Sequence, residues 1–268
     1  MIGPAIGGLA AAATNQPTIV FWVAGAALVV SAVLVLARVR ELPRGIHTAA
    51  EAARETDAGI RPTQMLNLLL VAAIVFNVGS FFAGGTYEVV WSLYLTSLGA
   101  NLAAIGLTYF TFALPVMVLS PVTGKFIDRQ GGFIALTLGM AGISLSGALY
   151  PLIPEVWWMA VLGLFEGTAF AFASPALYLL VARSSPPGRS SLAQGLFGAA
   201  GTIGTIVASL AAGALAAVNL HYPFYASAIG SGAALLLGLL LGRRALWDAM
   251  QPHPASLAAE RDGVAITG

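Results

Sequence analysis

Apolar residues in this chain come in long runs, and all Lys and Arg and most Asp and Glu lie in the gaps between them. The runs cover residues 18–37, 65–98, 102–122, 133–153, 156–181, 192–218 and 224–241. Each is close to or above the roughly 20 helical residues that cross the hydrocarbon core of a bilayer. The pattern therefore predicts an all-α, multi-pass bundle with seven complete spans. Residues 1–14 are mostly Gly and Ala, with Ile2, Ile6 and Leu9 as the larger apolar side chains. They read as the end of a helix whose beginning is missing. The run 65–98 is too long for one straight span and contains Gly84-Gly85, so a tilted or broken helix with a joint at that pair is expected. Pro115, Pro121 and Pro175 predict bends within spans. Glycines at 195, 198, 201, 204 and 213 give the 192–218 run the small-residue spacing by which helices approach closely in lipid.

Charge adds a direction to this pattern. All 12 Lys and Arg residues lie on alternate gaps: Arg38, Arg40, Arg44, Arg54 and Arg61 after the first run, Lys125 and Arg129 after the third, Arg183 and Arg189 after the fifth, and Arg243, Arg244 and Arg261 after the seventh. Lys and Arg are retained on the cytoplasmic side during insertion, so the long loop and the C-terminal tail are expected there, in a plasma-membrane protein. Composition agrees. Hydrophobic residues make up 58% of the chain and charged residues 9%, with a mean hydropathy of +0.87. A soluble domain carries about a quarter charged residues. With no cysteine there is no disulfide and no thiolate metal site. The stretch 40–62 has two readings of equal weight, a short surface helix with Glu51, Arg54 and Glu55 on one side, or a solvated linker.

Two carboxylates interrupt the apolar runs. Glu88 lies ten residues before Leu98, and Glu166 ten residues after Val156. At 1.5 Å per residue both are about 15 Å deep, near the midplane. An ionised side chain there costs about 2.5–3.5 kcal/mol on insertion scales and normally faces the protein interior or a wet cavity. Helical spacing puts Asn77, Phe81, Gly84 and Trp91 on the face of Glu88, and Leu162, Phe170 and Ser174 on that of Glu166. A carboxylate beside aromatic surface suits an amphipathic or cationic substrate. The structural alternative is a protonated Glu that bridges two helices.

The gap after the third run reads Gly124-Lys-Phe-Ile-Asp128-Arg129-Gln-Gly131-Gly132. This G-x-x-x-D-R-x-G pattern resembles the loop signature of the major facilitator superfamily. Gly124 and Gly131 suit a tight reversal, Asp128 a helix N-terminus, and Arg129 an acid or a helix C-terminus. Gly132 stands where the family usually has a basic residue, which would weaken pairing at the cytoplasmic gate. Gly3-Pro4-Ala-Ile-Gly7-Gly8 is similar to the G-P-x-x-G-G element near the outer end of the fifth helix in that superfamily's proton-coupled exporters. In register, the resemblance implies a remnant of helix five at 1–14, helix six at 15–39, a cytoplasmic linker at 40–62, the six-helix C-terminal half at 63–244 and a cytoplasmic tail at 245–268, which Pro252 and Pro254 mark as disordered. Glu88 would then lie on helix seven and Glu166 on helix ten, both facing the transport pathway, with Gly84-Gly85 as a hinge. The resemblance implies a proton-coupled exporter of small amphipathic compounds. The residues assigned to substrate and proton are Glu88, Glu166, Asn77, Trp91 and Phe170. A desolvated carboxylate exchanges its proton near neutral pH, which would let protonation alternate with substrate binding.

Other classes are less well served. His47, His221 and His253 lie in gaps or the tail, so neither an intramembrane Ser–His pair nor a His-ligated metal is expected, and Gly124-Lys125 is followed by Phe126, not by the Ser or Thr of a phosphate-binding loop. The expectation is no cofactor, no metal, no enzyme and no nucleic-acid partner. The expected partners are lipid, a small-molecule substrate, a proton and an N-terminal half. Two alternatives stay open: an importer of a sugar or metabolite, or a truncated half that does not transport. In the latter case Glu88 and Glu166 would need another polypeptide to cover them. The mass and N-terminal sequence of the native product would separate an internal Met1 from a true start.

Overall fold

The computed structural model describes residues 18–38, 67–186 and 189–252. Among them the chain forms α1 (Ile19–Arg38), α2 (Leu68–Ser97), α3 (Leu102–Gln130), α4 (Gly132–Leu149), a 3-10 turn (Tyr150–Leu152), α5 (Val156–Ser184), α6 (Ser190–Val218) and α7 (Tyr222–Ala249), with no strand. Helices α2 to α7 are long and apolar enough to cross a membrane, and α1 contributes a shorter apolar stretch, Phe21–Ala37. These are the helices that the apolar runs predict. The Gly3, Pro4, Gly7 and Gly8 element, the linker and the residues after 252 fall outside the described residues.

Helix starts follow local chemistry. The side chains of Asn67 and Asn101 accept hydrogen bonds from the backbone N–H of Leu70 (2.8 Å) and Ala104 (2.9 Å), satisfying donors that a first turn leaves open. Connections of one to six residues join α2 through α7, so successive helices alternate in direction. The described Lys and Arg side chains therefore gather at one end of the bundle: Lys125, Arg129, Arg183, Arg189, Arg243 and Arg244.

The most extensive packing pairs α2 with α6, α3 with α5, α2 with α7, and α4 with α5. Small residues permit it. A Cβ on Gly85 would stand 2.6 Å from the carbonyl oxygen of Thr205, and one on Gly167 would collide with the carbonyl of Phe112. Within α6 the glycine pattern divides. Gly201 and Gly204 meet α2, while Gly195, Gly198 and Gly213 have nothing close. The described side chains of α1 are all exposed, Trp22 by 80%.

Three expectations change. Helix α2 runs unbroken through Gly84-Gly85, so of the tilted and the broken readings the broken one falls; Gly85 packs closely against α6, and Gly84 faces open space. The Gly124–Gly131 signature is not a loop. Gly124 to Gln130 form the last turns of α3, and the reversal occurs at Gly131, whose φ of +84° with ψ of 157° is a conformation essentially restricted to glycine. Gly124 therefore has no part in the turn. The boundary expected at residue 245 falls inside α7, which continues to Ala249 with Leu246 and Met250 buried.

Candidate functional site

Glu166 and Glu88 occupy different surroundings. Glu166, on α5, is 4% exposed, and the hydroxyl of Tyr150 donates a hydrogen bond to its Oε2 at 2.7 Å. Tyr150 reaches it from the 3-10 turn that closes α4. The Tyr87 hydroxyl on α2 lies near Glu166 and Ser227, without closing a hydrogen bond to a described residue. The buried Ser227 hydroxyl on α7 is likewise unpaired among the described residues.

Aromatic rings wall the site on the side away from the basic end. Trp91 and Tyr150 meet edge-on at 4.8 Å, Tyr87 lies 5.9 Å from both Tyr150 and Phe224, and Tyr94 lies 4.9 Å from Phe224. The indole N–H of Trp91 donates to the Thr108 hydroxyl of α3 at 3.0 Å, which fixes the ring's orientation. The turn and α2 thus bring Tyr150 and Tyr87 to Glu166, and α3 and α7 pack against the rings around them. The arrangement can hold a carboxyl group away from water, take a proton onto it or give one up, and offer ring faces to an apolar or cationic group.

Glu88 is exposed on α2 beside Gly84, one residue and about 100° around the helix from the half-buried Tyr87. Phe81, on the same side, is 41% exposed. Helical spacing put Asn77 and Trp91 with them, and both are buried instead. The amide of Asn77 donates to the Phe197 carbonyl of α6 at 2.7 Å, so it ties two helices together. Phe170 is half-buried, with its ring 5.7 Å from that of Phe112. The five sequence candidates therefore form two groups, an enclosed one with Glu166 and Trp91 and an open one with Glu88. Asn77 and Phe170 sit at helix contacts.

Sequence reasoning missed Tyr87, Tyr150 and Ser227. Tyr87 adjoins Glu88 but lies outside the i, i+3, i+4 stripe that Glu88 defines. Tyr150 lies inside the 133–153 run, three residues before its end. Nothing in its spacing links it to a residue 16 positions on.

Comparison with known proteins agrees with this architecture. The sequence model of the Major Facilitator Superfamily matches residues 73–264. The chain is 26% identical over 174 residues to "Multidrug resistance protein 1" of Bacillus subtilis, covering 65% of this chain and 45% of that protein. It is 30% identical over 135 residues to "Efflux pump azaK" of Aspergillus niger, covering 48% and 28%. It is also 26% identical over 162 residues to "Quinolone resistance protein NorA" of Staphylococcus aureus, covering 60% and 42%. The chain spans less than half the length of these curated relatives. With a match over most of its length and a bundle of membrane-length helices, the chain belongs to the Major Facilitator Superfamily.

Proposed function

We propose that this chain forms the C-terminal part, helices six to twelve, of a secondary transporter that exports small amphipathic compounds in exchange for protons. The observation that carries this reading is the Glu166 carboxyl group, enclosed in the bundle, bound by Tyr150 and walled by aromatic rings. Substrate binding and proton binding compete for that environment, and such competition couples two fluxes when the two halves of a facilitator rock about a central site. The names of the relatives, which concern drug resistance and efflux, support export over import. Glu88, with Phe81 and Gly84, lies on an open face. We read it as the face toward the central cavity, covered in the working transporter by an N-terminal half. In this reading Phe170 adds ring surface to the pathway, while Asn77 and Trp91 hold helices in place. Gly84-Gly85 stays a candidate hinge, as the point where α2 would bend in another state of the cycle. Asp128 and Arg129 would steady the inward gate.

The test is drug efflux from proteoliposomes driven by an imposed pH gradient, with the transporter containing this chain and its Glu166→Gln and Glu88→Gln variants. Each variant is expected to insert normally and to lose proton-driven efflux. Wild-type rates in both would sink the mechanism.

A further inference from the structure

At the basic end of the bundle α7 carries a second constellation, remote from Glu166. Twenty residues separate Tyr222 from Gly242, about 30 Å of helix and one hydrocarbon thickness, and the backbone leaves helical geometry at Gly242. The segment that follows is two-faced. Leu246 and Met250, one turn apart, are buried. The Met250 carbonyl accepts from the Gly132 N–H at 2.9 Å, and Nη1 of Arg183 donates to the carbonyls of Ala249 (2.7 Å) and Gln251 (2.6 Å). These bonds pin the segment against α4 and α5. Its other face exposes Arg243, Arg244, Trp247 and Asp248. Together with Phe133 from the first turn of α4 they line a recess of about 420 Å³, in which the rings of Phe133 and Trp247 meet edge-on at 5.4 Å. Neither arginine makes a hydrogen bond or ion pair with a described residue.

The geometry points to a binding site for the headgroup of an anionic phospholipid of the phosphatidylglycerol class. Two guanidinium groups stand where a helix leaves hydrocarbon, at the depth of lipid phosphates, and each presents forked N–H donors that match phosphate oxygens. Asp248 supplies an acceptor for the headgroup hydroxyls, which phosphatidylcholine lacks. The recess carries two positive charges and one negative, and a phosphodiester brings the sum to zero. Trp247 and Phe133 cover the glycerol backbone and the first acyl carbons, as interfacial aromatic rings do. Free phosphate would satisfy the arginines and leave the aromatic wall unused. The site needs a spanning α7 but not the transport reading, so the two stand or fall separately.

The test equilibrates the detergent-purified full chain with equal amounts of phosphatidylglycerol and phosphatidylcholine and measures retained lipid by mass spectrometry. Phosphatidylglycerol is expected to be enriched, and the enrichment to fall about fivefold for each arginine removed in R243Q and R244Q. The R243K/R244K variant, which keeps both charges but loses the forked donors, is expected to fall between the wild type and R243Q/R244Q. Equal retention of the two lipids by the wild type, or unchanged enrichment in R243Q/R244Q, would overturn the proposal. Displacement of the lipid by millimolar inorganic phosphate would assign the site to a free anion and overturn it as well. Should the double glutamine variant not remain monodisperse, the two single variants give the same reading.

Discussion

Glu166 and Tyr150 test the proposal at the scale of single residues. A hydrogen bond to a charged group contributes about 1.5–3 kcal/mol, and the Tyr150 hydroxyl supplies one to Glu166 at 2.7 Å. Tyr150→Phe is expected to keep the ring packing against Trp91 and Tyr87 while removing that donor. Proton-driven efflux should then fall about tenfold, the equivalent of roughly 1.4 kcal/mol, with membrane insertion unchanged. Unaltered efflux would reduce Tyr150 to a packing role. The two glutamates also show what residue type alone conveys. Both were legible as costly intramembrane carboxylates. Their difference was not, because whether a carboxyl group meets a tyrosine or open space depends on helix rotation and on neighbours distant in sequence.

Among the elements, helix contacts made through glycine allow stability to be predicted position by position. Gly85→Val and Gly167→Val each place a side chain into the backbone of a neighbouring helix. Each is expected to cost at least the 1–3 kcal/mol or so typical of overpacking, seen as a lower thermal unfolding midpoint in detergent. Gly84→Ala, facing open space, should leave the midpoint unchanged. Gly131→Ala is expected to be damaging twice over, through its positive φ and because its Cβ would stand 2.7 Å from the Met250 carbonyl oxygen. In the proposed transporter, substitution of Asp128 or Arg129 should slow turnover without changing which compounds are exported, as measured by competition between substrates. The signature residues were legible as a motif, yet most of them proved to be helix. Its residues are compatible with helix, and Gly131 alone demands the turn.

For the whole molecule, sidedness is the quantity to measure. The chain has no cysteine, so single introduced cysteines report position without background. Glu155→Cys and Gln130→Cys mark exposed sites at opposite ends of the bundle. A membrane-impermeant maleimide added to intact cells is expected to label position 155 and not 130. The reverse pattern would overturn the orientation drawn from Lys and Arg. The same antiparallel order that separates these two ends also leaves one side of α2, with Phe81, Gly84 and Glu88, unburied by the described helices.

Span positions, their alternation and the basic end were set by sequence alone. Those features follow from transfer free energies summed over some 20 residues and from charges that resist translocation, and both are local properties of the chain. Tertiary structure decided which carboxylate is enclosed, which glycines serve as contacts and that Asn77 and Trp91 tie helices together. These outcomes depend on the rotation and register of packed helices. In lipid they are set by close contacts and hydrogen bonds between segments far apart in the chain, and an apolar run carries almost no periodicity to reveal them.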